Sequence, residues 1–185
     1  DLSSGRPEAA ERGSMEDCGQ VALEVGAAPR GCPGRSPDVA AAVVLAGGKN
    51  SPELREAAGH ELRALIPFPP ASGRPLVEKP LAALRAAASV REIVLVGPKA
   101  LEQAISSELY DSLVPEGASM VENVFLGLQT LSGSGQVALI ISGDLPLVTA
   151  EAVDDFVRRA LESAADMAFA IVRRENYEAR FPGGQ

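Results

Sequence analysis

Val39-Ala-Ala-Ala-Val-Val-Leu-Ala46, followed at once by Gly47-Gly48-Lys49-Asn50-Ser51, decides the fold. The run contains no polar side chain, so neither of its faces is suited to water. It is short for a buried helix and ends on paired glycines, which is how a strand covered on both sides reads. Two further runs share this form: Ile93–Val96, closed by Gly97-Pro98, and Val137–Ile141, closed by Ser142-Gly143-Asp144. A weaker fourth run, Met167–Val172, is expected to add another strand.

Helical spacing fills the intervals. Val77, Leu81, Leu84 and Ala88 recur at helix periodicity within Pro75–Ala88. Pro98 is expected to open a second helix running to about Leu109, as proline does at a first helical position. Val121, Val124, Phe125, Leu128 and Leu131 mark a third, with Ser119 and Glu122 forming a capping box at its start. Behind a Thr149 cap, Val153, Phe156, Val157, Ala160 and Leu161 share one face of a fourth. Strands alternating with helices require crossover connections, so the expected fold is a three-layer α/β/α, Rossmann-like domain with a mostly parallel sheet.

Composition narrows the function. The chain has 185 residues, enough for one domain with a substantial core, and a net charge of −8. Nucleic acid and anionic membranes both call for clustered Lys and Arg, so neither is an expected partner. No apolar run approaches the roughly 20 residues needed to cross a bilayer. The start, Asp1-Leu-Ser-Ser-Gly5, has neither a basic nor an apolar leader pattern, and a cytoplasmic protein is expected. Cys18 and Cys32 match no zinc spacing and read as free thiols. Residues 1–38 mix Gly, Pro, Ser, Glu and Arg with little apolar content; they read as a flexible extension, with the folded domain spanning 39–185. The composition does not indicate an oligomeric state.

In an open parallel sheet, ligands sit beyond the carboxyl ends of the strands, so the residues just after each run carry most of the functional information. After the first run, Gly47 and Gly48 allow backbone geometries closed to other residues and a close approach by a ligand. A following helix would add N–H groups suited to phosphate. The loop is neither a dinucleotide fingerprint nor a Walker loop, and a simple tight turn is the plainer alternative. After the third run, Asp144 offers a hard oxygen of the kind that holds Mg²⁺, or else serves as a turn residue. His60 is the single histidine, which excludes a histidine-based triad or a multi-histidine metal site. Asp154-Asp155 and Arg158-Arg159 read as a solvated helix face, and Arg173-Arg174-Glu175 as the exposed close of the fourth run.

The ordered set of these features resembles the MobA-like and sugar-nucleotide nucleotidyltransferases. Ala42–Gly48, then Arg63-Ala-Leu-Ile-Pro67 and Gly73-Arg-Pro-Leu-Val77, are similar to the opening motifs of that family, and Ser142–Pro146 to its magnesium motif. The resemblance runs from about Asp38 to Val172. It implies the nucleotide-diphospho-sugar transferase type of the fold. It also implies a nucleoside triphosphate wrapped by Leu45, Ala46, Gly47 and Gly48, with Lys49 and Arg63 adding charge. Asn123, at a helix start spanning Gly117–Asn123, would lie near the base, and Asp144 would hold Mg²⁺. A phosphorylated small-molecule acceptor would attack the α-phosphorus and pyrophosphate would leave. The base is not fixed by the resemblance.

Three departures bear on catalysis. Pro52 stands where the family usually has Arg, and Arg63 where it has Lys, an exchange that keeps charge but not geometry. Phe68–Ser72 is a small insertion. The chain ends at Gln185, soon after the fourth run, so the part that would bind the acceptor and supply a second metal carboxylate is expected to be incomplete. The alternative to an Mg²⁺-dependent nucleotidyltransferase is therefore a nucleotide-binding or regulatory module without turnover.

Overall fold

The structure, a computed structural model, describes residues 40–133, 137–163 and 165–183. The flexible extension expected over residues 1–38, with the free thiols of Cys18 and Cys32, lies outside the described residues.

The three apolar runs form strands β1 (Ala40–Leu45), β2 (Val90–Gly97) and β4 (Val137–Ser142), and a short β3 (Ser112–Pro115) joins them. The sheet has the order β3-β2-β1-β4, and every neighbouring pair is parallel. β1 is thus a central strand, with Val43 opposite Val94 on one side and Ile140 on the other. Its successive side chains point to opposite faces. Ala40, Ala42 and Val44 enter a large cluster with Leu81, Leu84, Ile93, Leu95 and Val153, whereas Val43 joins Val94 and Val96 in a smaller one.

Helices α2 (Glu78–Ala86) and α5 (Ala150–Glu162) cover the first face, and α4 (Met120–Thr130) lies over β1, β2 and β3 on the second. The result is the expected three-layer α/β arrangement. Leu81 and Leu84 are wholly buried, and each such side chain is worth ~1.5–3 kcal/mol relative to exposure. On the second face Gly127 sets the packing distance, since a Cβ there would collide with Val43 and Val96. Helix caps agree with the sequence: Ser119 Oγ accepts from the Glu122 N–H at 3.1 Å and Thr149 Oγ1 from the Ala152 N–H at 3.2 Å. The Glu122 carboxylate reaches the Ala118 N–H at 2.7 Å, one residue before the position a capping box would give it.

Several expectations need correction. The segment expected to be helical from Pro98 to Leu109 forms only α3 (Leu101–Ala104) and a 3-10 turn over Ser107–Leu109. Leu101 and Ile105 are its only buried apolar side chains, and Ile105 takes an extended backbone that turns the chain toward β3. Met167–Val172 is not a strand. Met167, Phe169, Ile171 and Val172 are all exposed, and among the described residues β4 pairs only with β1. An extended segment needs a ladder partner for its N–H and C=O groups, and apolar side chains do not supply one. A short helix, α6 (Arg174–Arg180), comes after this segment.

Asp154 is not merely a solvated residue. Its carboxylate accepts from the Ala88 N–H (3.1 Å), the Ser89 N–H (2.8 Å) and the Ser89 hydroxyl (2.6 Å), fastening α5 to the turn between α2 and β2. Asp155, by contrast, pairs on the helix surface with Arg158 and Arg159, as expected.

Candidate active site

The carboxyl ends of β1, β3 and β4 open onto a cleft of about 400 Å³, within the size range of small-molecule sites. β1 delivers Leu45 and Ala46 and then Gly47 and Gly48. The β3 end delivers Glu116 and Gly117, leading into Ser119 and Asn123 at the start of α4. β4 delivers Ser142, Gly143 and Asp144. This is the strand-end arrangement on which open parallel sheets build ligand sites.

Arg63 enters the cleft by a different route. After Ser51 caps the short helix α1 (Pro52–Ala58), the chain returns antiparallel to the glycine loop. The Asn50 N–H donates to the Glu61 carbonyl at 2.8 Å and the Arg63 N–H to the Gly48 carbonyl at 2.9 Å. A 3-10 turn over Arg63–Leu65 then aims the guanidinium across the cleft. Arg63 Nη1 lies 3.0 Å from Asp144 Oδ2, and Nη2 lies 3.5 Å from the Lys49 carbonyl. Arg63 Nε is buried with no protein partner. The other Asp144 oxygen accepts from the Ser142 hydroxyl at 2.5 Å. That hydroxyl first, and then Arg63, hold the Asp144 carboxyl below its ordinary value against an opposing effect of partial burial. The group is therefore a carboxylate at neutral pH.

At the other end of the cleft, the Gly117 N–H donates to Asn123 Oδ1 at 2.6 Å. The amide is thereby oriented with its Nδ2 left to donate elsewhere. Gly47 matters for space and not for a left-handed backbone: neither Gly47 nor Gly48 has a positive φ, and a Cβ on Gly47 would overlap the Glu116 carboxylate. The special-geometry expectation is not met by either glycine; close approach accounts for Gly47, while a Cβ on Gly48 would meet open space.

The family model for MobA-like NTP transferase domains matches residues 42–179. The chain belongs to that family. A hypothetical transferase from Thermus thermophilus is 33% identical with a TM-score of 0.57; the match covers 80% of this chain and 57% of that one. A nucleotidyl transferase from Methanothermobacter thermautotrophicus is 21% identical with a TM-score of 0.54, covering 65% of this chain and 57% of that one. The 4-diphosphocytidyl-2C-methyl-D-erythritol synthase of Anaerococcus prevotii is 21% identical with a TM-score of 0.50, covering 76% and 61%. The last two likenesses are of fold. The chain spans about 60% of the length of these structures. No curated protein sequence matches it.

Of the residues singled out in this MobA-like domain, Leu45, Ala46, Gly47, Gly48, Arg63, Asn123 and Asp144 meet in the cleft, and Lys49 does not. The Lys49 ammonium is exposed and lies 3.6 Å from Glu61 Oε1. His60 contributes its backbone carbonyl, which accepts from Asn50 Nδ2 at 2.8 Å. One cleft residue, Glu116, escapes the sequence reading, and Ser142, quoted there within the magnesium motif, has a role that the motif alone does not give. Ser142 holds Asp144, and Glu116 comes directly after β3; the strand-end rule finds Glu116 once Ser112–Pro115 is recognised as a strand.

The oxygen atoms of Asp144, Glu116 and Ser142 are hard donors, the chemistry Mg²⁺ prefers. No group of three or more His, Cys, Asp or Glu side chains among the described residues is placed to enclose a metal. An ion held here would draw the rest of its shell from water and phosphate oxygens, which suits Mg²⁺ and fits the residues present. No described helix is long and apolar enough to cross a membrane.

Proposed function

We propose that this domain is an Mg²⁺-dependent nucleotidyltransferase that moves a nucleoside monophosphate from a nucleoside triphosphate to a phosphorylated small-molecule acceptor. The observation that carries this reading is the convergence of a side-chain-free glycine pair, the Arg63 guanidinium and the Asp144 carboxylate at the mouth of one cleft. Gly48 leaves the backbone open to close approach by the triphosphate, and Arg63 supplies a positive charge in a planar fork suited to phosphate oxygens. Asn123 Nδ2 offers a donor to the base or ribose end.

Asp144, with water and phosphate oxygens, would hold Mg²⁺. When bound, the ion supplies charge neutralisation at the phosphates. An oxygen of the acceptor phosphate attacks the α-phosphorus, the bond from that phosphorus to the bridging oxygen of the β-phosphate breaks, and pyrophosphate leaves. An acceptor phosphate is already anionic, so no side chain has to remove a proton. Consumption of a nucleoside triphosphate fits the cytoplasm, and the net charge of −8 fits small-molecule partners better than nucleic acid.

The test is pyrophosphate release from each of the four ribonucleoside triphosphates with Mg²⁺ and a panel of sugar and alditol phosphates, alongside thermal shifts with the nucleotides alone. One preferred base should raise the melting temperature by ~2–4 °C, equivalent to about 1 kcal/mol of linked binding in a domain of this size. No shift with any nucleotide, with or without Mg²⁺, would overturn the reading. Nucleotide binding without pyrophosphate release would leave a binding module.

A further inference from the structure

We infer that Arg63 is a resident counter-cation for Asp144, and that its transfer to the incoming triphosphate couples metal binding to nucleotide binding. This rests on the reading of Asp144 as the metal ligand.

Each Asp144 oxygen already has one protein donor, and the one on Oδ2 carries a full positive charge. Arg63 Nη1 lies 3.0 Å from Oδ2, and Ser142 Oγ lies 2.5 Å from Oδ1. A divalent cation at Oδ2 would meet the guanidinium at close range, where two positive charges repel. The carboxylate therefore cannot serve both at full strength. The arginine is also held loosely at its other contacts, since its Nη2 lies at 3.5 Å from the Lys49 carbonyl and its buried Nε has no protein partner. Its backbone is fixed to the loop through the Gly48 carbonyl, so the guanidinium can turn toward phosphate on that loop without leaving the cleft.

A triphosphate brings several negative charges to that place. It offers Arg63 a bidentate partner of higher charge than Asp144, and its own oxygens complete the shell of the metal. Each ligand thus removes an obstacle to the other, and the coupling is reciprocal. Without nucleotide the ion pair protects Asp144 from stray divalent cations. With nucleotide the carboxylate is released where and when it is needed.

Mn²⁺ binding, followed through loss of the free-ion electron paramagnetic resonance signal, tests the coupling without turnover. The intact protein should bind Mn²⁺ weakly alone. Arg63→Gln should bind Mn²⁺ at least tenfold more tightly than the parent in the absence of nucleotide, and Asp144→Asn should abolish that gain. A loss of structure would weaken metal binding, so a gain is specific to the removed competitor. Inorganic tripolyphosphate, which carries no base, should strengthen Mn²⁺ binding more in the parent than in Arg63→Gln, after allowance for the Mn²⁺ that tripolyphosphate binds by itself. Tight single-site Mn²⁺ binding by the parent without any phosphate would overturn the inference from the native protein alone. Equal nucleotide-free affinities in parent and Arg63→Gln would also overturn it, even where nucleotide shifts the melting transition. Absence of any nucleotide shift falls instead on the proposed function.

Discussion

Asp144 serves two different needs, and charge separates them. Asp144→Asn keeps the size of the side chain and an acceptor oxygen for Ser142, but it removes the negative charge that a hard cation requires. The variant is expected to melt within ~1–2 °C of the parent and to lose the Mg²⁺-dependent part of nucleotide binding, leaving the part that persists in chelator. Identical Mg²⁺ dependence in the two proteins would make Asp144 a turn residue. Arg63 and Lys49 give a second contrast. Arg63 points into the cleft, whereas the Lys49 ammonium sits beside Glu61 outside it. Nucleotide affinity should fall at least tenfold in Arg63→Ala and less than threefold in Lys49→Ala, as read by isothermal titration. An equal loss in both would mean that Lys49 swings inward on binding. The sequence offers both as basic residues for the phosphates, Lys49 beside the glycine pair and Arg63 in the Arg63–Pro67 motif. The antiparallel return of the chain at Leu62 decides which of them reaches the cleft, and no local pattern in residues 49–63 announces it.

At the scale of elements, legibility in the sequence tracks how completely each segment is buried. β1, β2 and β4 stand out because continuous apolar runs with glycine at the end have few other uses. β3 is invisible there: Ser112-Leu-Val-Pro115 is four residues long and closes on a proline that only an edge strand tolerates. Glu116 is missed with it. Met167–Val172 shows the opposite failure, since apolar composition signals a strand but says nothing of a partner for its backbone. Asp154 is a connection between elements that no periodicity reveals. Removing its three hydrogen bonds in Asp154→Ala should cost about 1–2 kcal/mol, because each bond is worth about 0.5–1.5 kcal/mol net and the site is close to solvent. The melting temperature should drop by ~2–8 °C. The Ser89 hydroxyl, then the Ser89 and Ala88 N–H groups, hold the Asp154 carboxyl below its ordinary value. Its contribution is therefore present above the carboxyl's unfolded value and is lost as pH falls through the lower folded one. Parent and variant should converge in stability only in that acid range. A constant gap down to the lowest pH measured would show that the charge is not what the turn requires.

For the molecule as a whole, the two faces of the sheet are unequal. On the α2 and α5 side, Val137, Leu139 and Ile141 of β4 pack into the main cluster, while on the other side Ile140 is 40% exposed. Val121 and Phe125 on α4 are 61% and 59% exposed. Apolar surface of this kind favours self-association, so Phe125→Ser should lower concentration-dependent light scattering without lowering the melting temperature. Unchanged scattering would show that these side chains do not meet in solution. The placement of β1 at the centre of the sheet has another outcome, which concerns time. Among the described strands β1 leaves the ribosome ahead of both its partners, β2 and β4, so Val43 waits first for Val94 and then for Ile140. At typical synthesis rates the second wait is on the order of ten seconds. Throughout it, a strand built almost wholly from Ala, Val and Leu has an open edge, and a nascent chain arrested before β4 emerges should bind chaperones and stay sensitive to protease until those last residues arrive.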